Sequence, residues 1–140
     1  MKQLFNIEGK VAIVTGGSRG IGEMIARGFV ENGARTYITA RTEETCRATA
    51  EALSHYGECF AIPADLSTPE GIRQFVQMFT EREEILDVLV NNAGFMKSRQ
   101  EYDVLSAAIE EFGESDWDMT MNINLKALFF FTQKLLPKLK

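Results

Sequence analysis

The chain has 140 residues, of which 45% are hydrophobic and 25% charged, so enough apolar side chains exist to form a core and a disordered chain is excluded. The net charge of -5 argues against nucleic acid as a partner, because phosphate backbones require clustered lysine and arginine. The most apolar run, residues 127–131, is far too short to span a bilayer, and residues 1–10 lack the apolar core of a signal peptide.

Short apolar runs alternate with longer amphipathic runs along the chain, as expected for buried strands and the helices that cover them. Strands are predicted at Val11–Thr15, Thr36–Thr39, Cys59–Ile62 and Leu86–Val90. Helices are predicted at Ile21–Glu31, from a cap at Thr42 to about His55, after a cap at Ser67 or Thr68, around Val104–Phe112, and from about Trp117 to Leu136. This alternation predicts an α/β fold, a parallel sheet with helices on both faces.

Polar residues mark the predicted helix starts. Glu70 is placed to complete a capping box with Ser67, and Asp118 with Ser115. The two cysteines, Cys46 and Cys59, match neither a metal-binding spacing nor a disulfide framework. The sequence therefore predicts no metal site and fits a reducing cytoplasm.

A glycine cluster separates the first predicted strand from the first helix. Gly16, Gly20 and Gly22 have the spacing G-x-x-x-G-x-G. Such a turn lets the backbone approach a diphosphate, and the following helix N-terminus offers free N–H groups and partial positive charge. The alternative is a tight strand-to-helix turn without a ligand, but the position of the cluster favours a dinucleotide site.

Four segments together resemble the short-chain dehydrogenase/reductase family. Thr15–Gly22 resembles the cofactor motif, Asp65 lies in the A-D-L segment, Asn91–Gly94 matches N-N-A-G, and Met121–Leu125 resembles the segment with the asparagine of the proton relay. The resemblance covers nearly the whole chain and is strongest to 3-oxoacyl thioester reductases, including one associated with rhamnolipid synthesis. It implies a Rossmann-type sheet and reduction of a small-molecule carbonyl.

The resemblance also assigns site residues. Asn124, favoured over Asn122 by register, corresponds to the asparagine that holds a water linked to the catalytic lysine; the alternative is an exposed helical asparagine. Asp65 is expected to contact adenine, to form a turn with Ser67, or both. The predicted cofactor contacts are Gly16, Ser18, Arg19, Gly20, Ile21, Gly22, Arg41, Asp65, Leu66, Asn92, Ala93 and Gly94. Asn91 and Asn92 are expected to be mostly architectural.

The end of the second strand favours NADP(H) over NAD(H). It reads Thr39-Ala40-Arg41 and carries no acid, whereas NAD-preferring sites place an acid there to bind the ribose hydroxyls. Arg41 can pair with a 2′-phosphate, and Arg19 is a second candidate. The alternative is that both arginines are solvated surface charges.

The family's catalytic serine, tyrosine and lysine have no counterpart in the chain. Four residues after Tyr37, Tyr56 and Tyr102 lie arginine, phenylalanine and serine, and none is the required lysine. We therefore expect residues 1–140 to be a single incomplete dinucleotide-binding domain, truncated after the fifth helix region and inactive alone. The alternatives are a binding module and a subunit-pairing chain. Residues 95–114 form a longer stretch than the family pattern and are expected to remodel the substrate loop.

The predicted last helix favours self-association. It is apolar around much of its circumference, and in the family this helix packs in a dimer interface. The fourth strand would also be an apolar sheet edge, which invites association. We therefore expect a homo-oligomer through the last helix, with Trp117 and 129–131 packed against the sheet or a partner helix.

Overall fold

The computed structural model describes residues 6–95 and 112–140, and the predicted alternation is confirmed there. The strands are β1 (Val11–Thr15), β2 (Arg35–Thr39), β3 (Cys59–Ala61) and β4 (Val88–Val90). The helices are α1 (Gly20–Glu31), α2 (Glu43–Leu53), α3 (Pro69–Thr80), α4 (Glu114–Met121) and α5 (Leu128–Leu135), and a π-helical turn at Asn122–Ala127 joins the last two. The predicted short helix around 104–112 lies almost entirely outside the described residues.

The strands form one parallel sheet in the order β3-β2-β1-β4. Ile13 of β1 is in register with Tyr37 of β2 and Leu89 of β4, so β1 is flanked on both sides. Because the strands are parallel, their carboxyl ends meet at one edge of the sheet, where parallel sheets form ligand crevices.

Helices cover both faces of this sheet, as the sequence predicts. On one face, Ile13 and Tyr37 pack in a cluster with Phe75 and Phe79 of α3 and Phe131 of α5. On the other face, the core is formed by strand residues together with α1 and α2, namely Val14, Ala26, Val30, Ile38, Cys46, Ala50, Leu53 and Cys59. The sheet is therefore a rigid platform for the loops at its carboxyl edge.

Both predicted capping boxes are wrong. At α3, Thr68 rather than Ser67 is the cap, and its Oγ1 accepts a hydrogen bond from Gly71 N at 3.0 Å. Glu70 instead pairs along the helix with Arg73, because that guanidinium lies within one turn. At the last helix, Gly113 occupies the cap position and Ser115 is already inside α4.

The packing predicted for the last helix is only partly confirmed. Phe131 is buried in the core at 1% exposure, but Trp117 and Phe129 are 57% and 59% exposed and Phe130 is 42% exposed. The helix itself is interrupted at its centre by the π-helical turn, a feature that is often found at functional sites.

β4 is at the edge of the described sheet, as predicted. The residues just before it, however, are paired with the C-terminal segment of the chain. Leu86 N donates to Lys138 O at 2.8 Å, and Lys140 N donates to Leu86 O at 3.0 Å. No helix in the described parts of the chain is long and apolar enough to cross a membrane.

Candidate functional site: a cleft at the carboxyl ends of the strands

An open cleft of about 590 Å³ lies at the carboxyl edge of the sheet, which is a typical size for a small-molecule site. All twelve residues predicted to contact the cofactor line it. Seven further residues that the sequence analysis did not name as cofactor contacts also line the cleft: Thr39, Ala40, Thr42, Thr45, Ala64, Ser67 and Ile123. Asn124, the predicted catalytic residue, does not line the cleft.

The glycine turn after β1 forms one wall and is shaped by backbone contacts that leave no room for side chains. Gly16 and Gly20 have φ values of 65° and 55°, which favour glycine. A Cβ on Gly17 would lie 2.7 Å from Ile38 Cγ2, and a Cβ on Gly22 would overlap the carbonyl oxygen of Gly16. The close fit brings the start of α1 directly against the turn.

The N-terminus of α1 is open toward the cleft. Its cap residue, Arg19, makes no side-chain capping hydrogen bond, so the first N–H groups of the helix have no partner from that side chain. Thr49 Oγ1 of α2 donates to Ser18 O at 3.0 Å, which ties the turn to the neighbouring helix. A turn fixed in this way presents a preorganised anion site.

Thr15 joins the ends of β1 and β4. Its Oγ1 accepts hydrogen bonds from Asn92 N at 3.0 Å and Ala93 N at 2.8 Å, and donates to Val90 O at 3.3 Å. Asn92 Nδ2 returns a hydrogen bond to Thr15 O at 3.0 Å. Asn92 is therefore architectural as well as a lining residue, and Thr15 is a site-building residue that the sequence analysis did not single out.

Replacement of Thr15 by valine is expected to destabilise the protein, because Ala93 N loses its acceptor beside a residue that is 2% exposed, while Asn92 N keeps only its hydrogen bond to Val90 O at 3.1 Å. A buried donor left without an acceptor costs about 1–3 kcal/mol, which is the expected loss for Ala93 N. Thr15→Ser keeps the hydroxyl and is expected to lose much less. Urea denaturation of both variants checks this, and equal free energies of unfolding would contradict the assigned role.

Two arginines at the cleft carry positive charge that no described carboxylate neutralises. Arg27, Arg35, Arg47 and Arg73 each pair with a carboxylate, whereas Arg19 and Arg41 form no ion pair with any described residue. In a chain of net charge -5, two such arginines at one cleft are suited to bind an anion.

The loop after β3 forms the opposite wall. Asp65 Oδ1 accepts hydrogen bonds from Ser67 N at 3.0 Å and Ser67 Oγ at 2.6 Å, so the predicted turn is present. The Asp65 carbonyl oxygen packs so closely on Gly71 that a Cβ there would overlap it. The turn thus places Asp65 in the cleft wall with one of its carboxylate oxygens held by Ser67.

The side-chain amide of Asn124 is hydrogen-bonded to the backbone of Phe95 through both its oxygen and its nitrogen. Its Oδ1 accepts from Phe95 N at 2.8 Å and its Nδ2 donates to Phe95 O at 2.9 Å. Neither sequence-based alternative included this contact, which fastens the segment after β4 to the π-helical turn. The water-holding role stays a prediction.

Neither described tyrosine lies at the cleft. Tyr37 is buried and donates to Glu83 Oε1 at 2.6 Å; burial, followed by that carboxylate, raises the pKa of its hydroxyl well above the ordinary range. Tyr56 is on the surface beneath Arg27. A tyrosine that acts as an acid near neutral pH needs the opposite shift. Tyr102 lies outside the described residues.

Comparison with known proteins gives consistent matches. The family model for short chain dehydrogenases matches residues 10–140. The rhamnolipids biosynthesis 3-oxoacyl-[acyl-carrier-protein] reductase of Pseudomonas aeruginosa is 46% identical over 140 residues, covering 100% of this chain and 52% of that protein. The chain thus spans about half the length of this curated relative.

Two solved structures show the same fold with a dinucleotide. A Pseudomonas aeruginosa RhlG/NADP active-site complex has a TM-score of 0.86 and 47% identity, covering 96% of this chain and 49% of that one. A metagenomic short-chain oxidoreductase in complex with NADP has a TM-score of 0.82 and 34% identity, covering 95% and 57%.

Proposed function

The chain belongs to the short-chain dehydrogenase family, and on that premise we propose that its cleft binds NADP(H) as the cofactor part of a carbonyl reductase. The observation that carries this proposal is the presence, in one cleft, of a close-packed glycine turn and two arginines that form no ion pair with any described residue. The turn fits a diphosphate, and the arginines fit the extra phosphate that distinguishes NADP from NAD.

Each wall of the cleft has a part in this proposal. The N-terminal N–H groups of α1 at Gly20–Gly22 would hold the diphosphate, and Arg41 with Arg19 would hold the 2′-phosphate. Asp65 and Leu66 would contact the adenine, and Ala93 and Gly94 would line the ribose, backed by Asn92. When bound, the nicotinamide would supply the hydride for carbonyl reduction.

The proposed substrate of the whole protein is a 3-oxoacyl thioester. The support is the 46% identity to a 3-oxoacyl-[acyl-carrier-protein] reductase. Residues 1–140 contain no tyrosine followed four positions later by lysine, the pair that the family uses as acid and ribose anchor. We therefore propose that these residues bind the cofactor but do not reduce a carbonyl alone, with Asn124 a contributor to the proton relay of the whole protein.

The last helix is proposed as the surface for a second copy of the chain. Leu125 of the π-helical turn and Phe129 of α5 are 58% and 59% exposed, and Leu136, directly after α5, is 56% exposed. Exposed apolar side chains at this density are typical of an interface. A purely subunit-pairing chain, with no bound dinucleotide, is the alternative function that this surface supports.

A turnover assay separates these functions. We expect NADPH to bind to the 140-residue chain, but NADPH oxidation with a 3-oxoacyl thioester to stay at the background rate. The same assay on any longer product of the gene is expected to show reduction. Turnover by the 140-residue chain itself would contradict the proposal that it only binds, and failure to bind NADPH would favour the subunit-pairing alternative.

A further inference from the structure

We propose that Asn122 is a positioning residue for recognition of the adenine ring, acting through Ser67 on the carboxylate of Asp65. The proposal rests on the proposed NADP(H) site and adds a determinant of base specificity to it. Three hydrogen bonds support it, which connect Asn122 in the π-helical turn to Ser67 and Ser67 to Asp65 in the cleft wall.

The first contact joins two elements that are distant in sequence. Asn122 Nδ2 donates to Ser67 O at 2.9 Å across 55 residues, in a partly buried position. Ile123, the next residue, lines the cleft itself. The π-helical turn therefore lies directly against the loop after β3 and can hold that loop in place.

Two further hydrogen bonds connect Ser67 to the carboxylate of Asp65. Ser67 donates two hydrogen bonds to Asp65 Oδ1, whereas Asp65 Oδ2 has no hydrogen bond to any described residue. The backbone of Asp65 is fixed separately, since its carbonyl oxygen accepts from Thr68 N at 3.2 Å and from Thr68 Oγ1 at 3.0 Å. With one oxygen occupied and the backbone held, the second oxygen has a defined direction.

A carboxylate oxygen in a defined direction discriminates between bases. It accepts a hydrogen bond from the 6-amino group of adenine, but faces an acceptor when the base is hypoxanthine, which carries a carbonyl there. Loss of the Asn122 contact would free the Ser67 carbonyl and loosen the carboxylate. Discrimination between the two bases would then fall, while the diphosphate and 2′-phosphate contacts would remain.

Asn91 offers a matched control. Its Nδ2 donates to Thr132 Oγ1 at 3.1 Å, so it also ties a loop to the last helical segment through one side-chain hydrogen bond. It does not line the cleft, and among the described residues its side chain has no hydrogen bond to the loop after β3. Replacement of Asn91 removes a similar tether without touching the path to Asp65.

The experiment compares dissociation constants for NADP⁺ and its hypoxanthine analogue. The unaltered 140-residue chain and Asn91→Ala are expected to prefer NADP⁺ by roughly tenfold to a hundredfold, the range for a hydrogen bond to a charged group. Asn122→Ala and the bulkier Asn122→Leu are expected to lose most of that ratio. Circular dichroism confirms that each variant is folded.

The outcomes are distinct. An unchanged ratio in both folded Asn122 variants would overturn the role of Asn122, and an equal loss in Asn91→Ala would show a merely structural effect and overturn it as well. Binding without base preference in the unaltered chain would overturn the role of Asp65 and this inference with it. A chain that binds neither dinucleotide would overturn the proposed function on which the inference rests.

Discussion

Replacement of Gly22 by alanine is expected to abolish NADPH binding and to lower stability. The new Cβ would overlap the carbonyl oxygen of Gly16 and lie 2.5 Å from Asn92 Nδ2. Neither atom can move away easily, because the Gly16 oxygen belongs to the backbone and Asn92 Nδ2 is hydrogen-bonded to Thr15 O. Overpacking of this kind costs about 1–3 kcal/mol, and displacement of the turn removes the N–H groups proposed to hold the diphosphate.

Gly28→Ala is the matched control for this change. Gly28 is in the same helix, α1, and a Cβ there would meet no atom within 4 Å. Because alanine is favoured over glycine within a helix, this variant is expected to gain about 0.5–1 kcal/mol and to bind NADPH normally. Calorimetric titration and urea denaturation measure both effects. Normal binding by a stable Gly22→Ala variant would show that the turn does not hold the dinucleotide.

Replacement of Arg41 by alanine is expected to weaken NADPH binding by roughly tenfold to a hundredfold while NADH binding stays unchanged. The magnitude is that of a charge-assisted hydrogen bond, about 1.5–3 kcal/mol. The selectivity follows because only NADPH carries a phosphate at the 2′ position. Arg41 is exposed just after β2 and pairs with no described carboxylate, so its removal leaves no carboxylate of the described residues unpaired.

Arg47→Ala is the control for nonspecific loss of positive charge. Arg47 is six residues further along the chain, in α2, and its guanidinium pairs with Glu43 at 2.8 Å. We expect it to leave the ratio of NADPH to NADH affinity unaltered. If Arg41→Ala changed both affinities equally, or changed neither, then the 2′-phosphate would have to be bound elsewhere.

The fold was predictable because its signals are local. Each strand is a short apolar run beside an amphipathic helix, and the structure differs from the predicted strand bounds by at most two residues, as at Leu86 and Val88. The glycine spacing was equally informative, since Gly16 and Gly20 adopt backbone angles that favour glycine. The family resemblance drawn from these motifs is confirmed by the match over residues 10–140.

The missed features depend on contacts between distant segments. Ser67 and Thr68 are both good caps in sequence, but in the structure Thr68 accepts from Gly71 N whereas the Ser67 hydroxyl donates to Asp65. The π-helical turn has no sequence pattern of its own; there, Asn122 bonds to the loop after β3 and Asn124 to the segment after β4. The role of Thr15 likewise depends on Asn92, 77 residues away, lying beside it.

The central claim, an NADP(H) site in the cleft, is tested most directly by calorimetric titration of the unaltered 140-residue chain with NADPH and NADH. The arrangement of the glycine turn, Arg19 and Arg41 predicts saturable binding of one NADPH per chain. It also predicts weaker binding of NADH by roughly tenfold or more. Equal affinity for the two would contradict the assignment of the arginines, and no heat or saturation with NADPH would contradict the site itself.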